Sequence, residues 1–338
     1  MTSDNHPWLS TYESLGYDWH TLPDLPEKTL SDYVRDYAEQ FPDREALVFL
    51  GKAITYRQLD HLADRMAALF AAQGAKAGDV LGLQMPNTPQ YVVAFIAAAR
   101  LGMVSTSISP LMTAPEITHQ ATDAQVKILL TLMPFWQTSV PPVLGKVDTL
   151  STVIVSGPMD LMTGQGEALE ETREGVQVMS LHDHLPDTAE PVNTHVDMDA
   201  VLYLQYTGGT TGLPKAAIIL HAKMFTFGAF ICNAFKITGK DVIYTCLPLF
   251  HSAGGGLGIG CCFYGGCTVA IKRKFSTRAF WRDCARYKVT VVQYIGELCR
   301  YLLATPPGSD DKAHGARLAL DPGAHTVHCM RDVPVCLN

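Results

Sequence analysis

Between residues 30 and 132 the sequence alternates short apolar strands with amphipathic helices, and no other feature limits the fold as much. Residues 30–41 place Tyr33, Val34, Tyr37 and Phe41 on one helical face, with Ser31 as the expected N-cap. Residues 46–50 predict a strand, which Gly51 and Lys52 turn toward Ile54 and Tyr56. Residues 57–73 predict a helix, because Leu59, Leu62, Met66, Leu69 and Phe70 recur three and four apart and Gly74 closes the run. A buried strand at 80–85 follows, then a helix capped by Asn87 or Thr88 with Pro89 in its first turn. Strands at 104–108 and 126–132, joined by a helix from about residue 114, complete the series. Strands and helices in this order predict a mixed α/β fold whose largely parallel sheets are covered by helices.

Beyond residue 132 the pattern thins. Residues 133–197 hold a strand at 152–155 and then polar, acidic sequence, which predicts a surface excursion. A helix is expected at 275–287, capped by Ser276 or Thr277 and facing inward through Phe280, Trp281, Cys284 and Tyr287. A strand at 289–294 and a helix to residue 303 follow, the latter with Glu297 and Arg300 as a solvated pair.

The run YTGGTTGLPK, residues 206–215, carries the chemistry. Gly208, Gly209 and Gly212 permit tight turns and close main-chain approach to a ligand. Thr207, Thr210 and Thr211 add hydroxyls, and Lys215 adds an ammonium. Phosphate oxygens seek several donors and a positive charge at once, so such a loop suits a phosphate chain. It is not a P-loop, since no Lys-Ser or Lys-Thr follows the last glycine. Apolar strands at 201–205 and 216–220 flank it, so the setting is a hairpin rather than the strand-to-helix turn of a dinucleotide fold.

Composition excludes some classes. The chain has 338 residues, 47% of them apolar, and a formal charge of −7. A chain of this length buries a large core, and an acidic balance without clustered Lys and Arg argues against nucleic-acid binding. Nine cysteines without a regular framework read as buried or free thiols of a reducing compartment, and Cys261, Cys262 and Cys267 lack a metal-site spacing. The start of the chain shows no secretory signal, so the expected location is cytoplasmic. No charged residue lies between Asp241 and Lys272, but Pro248, His251 and Gly254, Gly255, Gly256 and Gly258 break that run. It predicts a buried strand, a loop and a glycine-rich helix or turn rather than a membrane span. Ser252 is not a hydrolase nucleophile elbow, because Phe250 stands where a glycine is required.

The 206–215 run resembles the phosphate-binding loop of the adenylate-forming enzymes, the AMP-binding family of acyl-CoA synthetases. It departs by Gly209 for the usual serine and Ala216 for the usual final glycine. The words ITYRQLD (54–60), GDVLGLQMPN (78–87) and AARLGMVSTSISP (98–110) are similar to that family's N-terminal run, in order and spacing. CLPLFHSAGG (246–255) resembles its Pro-Leu-aromatic-His element, and YIGELCRYLL (294–303) resembles the fatty acid transport protein branch, the very-long-chain acyl-CoA synthetases.

The resemblance implies the large N-terminal domain of the adenylate-forming fold and ATP-dependent activation of a long-chain fatty acid. A carboxylate attacks the α-phosphorus of ATP, pyrophosphate leaves, and the thiol of CoA then takes the acyl group. By the same resemblance, Tyr206, Thr207, Gly208, Gly209, Thr210, Thr211, Gly212 and Lys215 hold the ATP phosphates. Thr210, Lys215 and His251 are catalytic, Phe250 and His251 border the acyl group, and Thr210 assists Mg²⁺. An isolated histidine reads as structural; the loop upstream turns His251 into a site candidate. The partners implied are fatty acid, ATP and CoA, with peripheral attachment to the inner face of a membrane left open.

The family's Tyr-Gly-x-Thr-Glu element, its ribose-binding aspartate and its C-terminal lid domain are not found. The expected organisation is therefore an extension at 1–29, an incomplete AMP-binding domain at 30–314 and an atypical tail at 315–338. His325, His328, Cys329 and Cys336 suggest a metal cluster, but a truncated or frameshifted end explains that tail more simply. The expectation is a partial form of a ligase that turns over poorly or not at all. Two alternatives remain: a non-catalytic nucleotide- or acyl-binding remnant, and a ligase for a smaller acid.

Overall fold

The computed structural model describes residues 28–192, 194–209, 212–251, 253–320 and 327–329. The chain opens with α1 (Leu30–Gln40), the hairpin β1 (Glu45–Phe49) and β2 (Lys52–Thr55), and α2 (Tyr56–Ala72). It continues through β3 (Val80–Gln84), α3 (Pro89–Arg100), β4 (Val104–Ser107), α4 (Ala114–Asp123) and β5 (Val126–Leu132). The spans expected from periodicity hold to within about two residues at each end.

Then come β6 (Thr152–Ser156), β7 (Glu170–Arg173), β8 (Val176–Ser180), β9 (Val201–Gly209), β10 (Gly212–Leu220) and α5 (His221–Phe235). After them follow β11 (Val242–Thr245), a π-helical segment (Ala253–Gly260), α6 (Cys261–Gly265) and β12 (Thr268–Ile271). The described chain closes with α7 (Thr277–Arg286), β13 (Val291–Gln293), α8 (Gly296–Leu303), β14 (Leu318–Leu320) and β15 (Val327–Cys329).

Two sheets form. One runs β10-β9-β4-β3-β5-β6-β8-β7, the other β15-β14-β13-β11-β12-β1-β2. Each is parallel at its centre and ends on both sides in a strand paired antiparallel. Helices cover their faces, as expected. One core joins the sheets, with Leu81, Leu83 and Ile128 from the first, Phe49, Val269 and Ile243 from the second, and α1–α3 between them. Smaller cores lie on the outer faces, one under Ile117 and Trp136, the other under Phe280 and Cys284.

Helix α3 is buried all round, which explains its weak amphipathic signal. Its Arg100 is 4% exposed and lies among Ser31, Asp60 and Asp64, with Nε donating to Ser31 Oγ at 2.7 Å. Arg35 adds a second cation at Asp64, 2.8 Å away. A buried cation stays charged only with such partners.

This network overturns one cap expectation. Ser31 serves Arg100, and α1 is capped by Thr29, in a reciprocal box with Asp32. The expectation for α3 is corrected too. Thr88 holds the N-cap position without a side-chain hydrogen bond, and Asn87 reaches across to the other sheet. Residues 133–197 are not merely a surface excursion. They supply β6 and β8, whose Val153, Ile154, Val178 and Met179 are buried, and β7, which forms the sheet edge. The run from Asp241 to Lys272 folds as strand, loop and glycine-rich helix, and among the described residues no helix is long and apolar enough to cross a membrane. Cys262 and Cys267 are buried.

Candidate functional site

The 206–215 run is the tip of the β9–β10 hairpin, as the flanking strands predict. Gly209 pairs with Gly212, Thr207 with Lys215, Gln205 with Ala217 and Tyr203 with Ile219. Thr210 and Thr211, expected to carry phosphate contacts and the metal, lie outside the described residues, as do Ser252, His325 and Cys336. Gly208 and Thr207 are exposed, and so is Lys215.

Alternation along the strands separates the hairpin's two faces. Leu204 and Tyr206 turn to the outer core, where the Tyr206 hydroxyl donates to Asp123 Oδ2 at 2.5 Å. Burial, then the Asp123 carboxylate, pushes that phenol upward, so it stays a donor. Tyr206, expected at the phosphates, is thus held by α4.

The other face holds Tyr203, Gln205 and Ile219, which line a cavity of about 320 Å³. Thr207 and Lys215 continue that face toward the tip. Tyr91 and Phe95 of α3 and Met224 and Phe227 of α5 enclose the cavity further, and Lys223 stands at it as a cation. Burial raises the phenols of Tyr91 and Tyr203, which stay protonated. The Tyr91 hydroxyl shares a 2.5 Å hydrogen bond with Ser107 Oγ.

The remaining wall follows β11. His251 lines the cavity with Leu249, Ala253, Gly255 and Ile259. Its loop is a tight turn in which the His251 N–H donates to Pro248 O at 3.0 Å. The Ala253 N–H donates to the ring's Nδ1 at 3.3 Å, so Nδ1 acts as acceptor and the ring proton sits on Nε2. Phe250 is half-buried and is not among the residues lining the cavity. The π-helical segment brings main chain in close. A Cβ on Gly255 would come within 2.6 Å of Leu249 O, and one on Gly254 would collide with Pro248 O.

Asn87 fixes this wall to the other sheet. Its Nδ2 donates to Leu247 O at 2.8 Å and to Lys272 O at 2.9 Å, and its Oδ1 accepts from the Leu249 N–H at 2.8 Å. All three bonds are buried or nearly so, where each is worth most.

The geometry brings together His251, the hairpin and the apolar cavity. Sequence reasoning missed Asn87's role, the α3 aromatics and the whole of α5. Alternation in β9 was the available signal for Tyr203 and Gln205, because both share the parity of Thr207. Among the described residues no group of three or more His, Cys, Asp or Glu could hold a metal ion.

The chain matches the family described as AMP-binding enzyme over residues 34–329. Long-chain fatty acid transport protein 1 of Rattus norvegicus is 34% identical over 288 residues, 85% of this chain and 43% of that protein. The chain therefore spans less than half the length of this curated relative. The crystal structure of the anthranilate CoA ligase AuaEII, in complex with anthranoyl-AMP, superposes with a TM-score of 0.78 at 19% identity, covering 89% of this chain and 56% of that one. The inhibitor-bound N-terminal domain of FACL13 from Mycobacterium tuberculosis gives 0.73 at 22%, covering 88% and 70%. Both share the two-sheet α/β architecture.

Proposed function

Because this chain belongs to the AMP-binding enzyme family, we propose that it carries the acyl- and phosphate-binding part of a long-chain fatty acid–CoA ligase. The observation that carries this reading is one continuous face. The hairpin face that lines the apolar cavity through Tyr203, Gln205 and Ile219 continues by strand alternation to Thr207 and Lys215. An acyl chain in the cavity would direct its carboxylate toward the hairpin tip, where the main chain of Gly208, Gly209 and Gly212 would meet the phosphates of ATP, and Thr210 and Thr211 are the further donors proposed for them.

In-line attack of that carboxylate on the α-phosphorus needs positioning and charge neutralisation more than proton transfer. Lys215 supplies the positive charge. His251, with Nδ1 already engaged, presents an N–H donor at the acyl end. Mg²⁺ would arrive with ATP, since among the described residues no group of three or more His, Cys, Asp or Glu could hold it, and Thr210 would supply at most one oxygen. Such an ion supplies charge neutralisation across the phosphates. CoA is the acceptor in the second half-reaction. The active protein works in the cytoplasm, at most peripherally on a membrane's inner face, and the domain that does so, expected at residues 30–314, extends at least through Leu320 of β14.

The test is ATP–pyrophosphate exchange with palmitate, beside calorimetry of MgATP binding to the wild type and to Lys215→Ala. Magnesium-dependent binding that the variant weakens supports the reading; equal behaviour of the two proteins removes it. One observation favours a second reading, a smaller acid as substrate. About 320 Å³ lies at the low end of ligand cavities. Exchange rates with acids of increasing chain length separate the two.

A further inference from the structure

A second cleft lies at the opposite limit of the molecule's other sheet. It measures about 540 Å³ and is bounded by β2, by one face of α2 and by the one-turn helix Asp160–Thr163, which holds Leu161 and Met162. It shares no residue with the β9–β10 cavity. From β2 come Lys52 and Ile54; from α2 come His61, Leu62 and Arg65, placed together by their three- and four-residue spacing. Ile54 and Leu62 are buried and floor the cleft with Met162. Lys52, His61 and Arg65 supply its polar side, and no carboxylate lines it.

That charge is out of place for an acidic chain. Elsewhere around α2 the cations find carboxylates, Arg35 with Asp64 and Arg57 with Asp43. Among the described residues Lys52 and Arg65 find none. Arg65 is half-buried and its Nε donates to Pro186 O at 2.5 Å. This bond holds the guanidinium plane in place and leaves its two terminal nitrogens to a ligand. A fixed guanidinium edge matches the paired oxygens of a carboxylate or a phosphate. A half-buried cation with no counter-charge is costly, and a bound anion relieves that cost. The apolar floor selects an anion that carries alkyl chain.

We propose that this cleft is a binding site for an amphipathic anion, with the carboxylate or phosphate head on Arg65 and Lys52 and the alkyl segment over Ile54, Leu62 and Met162. Two sources offer that chemistry, a soluble single-chain amphiphile and the headgroup region of an anionic bilayer. The inference does not depend on the ligase reading.

Calorimetry with laurate and with dodecyl phosphate below micelle formation tests the soluble source. Co-sedimentation with phosphatidylcholine vesicles, with and without phosphatidylglycerol, tests the bilayer. Each runs on the wild type, Lys52→Gln and Arg65→Gln. The expected result is a binding event weakened about tenfold or more by Arg65→Gln and less by Lys52→Gln. Weakening of the soluble ligands identifies a single-chain amphiphile; weakening only of anionic vesicle binding identifies the bilayer. Lys52→Gln alters an exposed side chain, so it reports even where Arg65→Gln disturbs folding. Unchanged binding of all probes by both cleft variants overturns the proposal.

Discussion

Lys215 shows how one side chain's position sets its consequence. It is exposed and stands opposite Thr207, so removing it leaves no buried gap. Lys215→Ala is expected to keep the melting temperature and to weaken MgATP binding by about 1.5–3 kcal/mol, the range for a hydrogen bond to a charged group. His221 is the opposite case. It opens α5 at 2% exposure, and among the described residues neither ring nitrogen has a hydrogen-bond partner. Burial pulls its pKa from 6.5 down to about 4, with Asp32 opposing weakly. Between those values the unfolded chain binds a proton that the folded chain refuses, so stability falls as pH drops from about 6.5 toward 4. The slope from this one group approaches about 1.4 kcal/mol per pH unit. Urea denaturation of the wild type and His221→Leu across that window is expected to show the variant losing less stability on acidification; parallel curves would refute the assignment.

Among the elements, the loop after β11 depends on a residue that follows β3. Asn87→Ala would strand the Leu249 N–H and the carbonyls of Leu247 and Lys272 together. A loss of about 2–4 kcal/mol is expected, with weaker acyl binding because Leu249 and His251 line the cavity. Denaturant titration and binding of a fluorescent fatty acid would check both. Asn87 also marks where the sequence stops being readable. Periodicity is local, so helices and strands up to residue 132 were legible almost to the residue, and the hairpin was legible from its glycines and flanking strands. Asn87 and Ser31 were read as caps, a local role, but their partners lie 160 and 69 residues away. Tyr206 was read with its motif, though strand alternation turns it toward Asp123. Strands β6 and β8 were obscured because their polar connections dominated the window in which they were read.

At the scale of the molecule, the two sheets share the main core, and each carries a smaller one on its outer face. Cooperative unfolding is the expected consequence. Trp136 sits on the outer face of the first sheet and Trp281 on that of the second. Fluorescence from variants that keep only one of these tryptophans should give the same urea midpoint, coincident with circular dichroism; separated midpoints would show that the sheets unfold independently. The cavity between hairpin, α3 and α5 has one further consequence. Its Ala253–Gly260 side is mostly main chain, and side chains at 254 or 255 would strike carbonyls of the preceding turn. Random mutation therefore has almost nothing there to trim or enlarge. Descendants of this sequence that diverge in preferred chain length should record the change at Met224 and Phe227, on the wall that still has side chains to exchange.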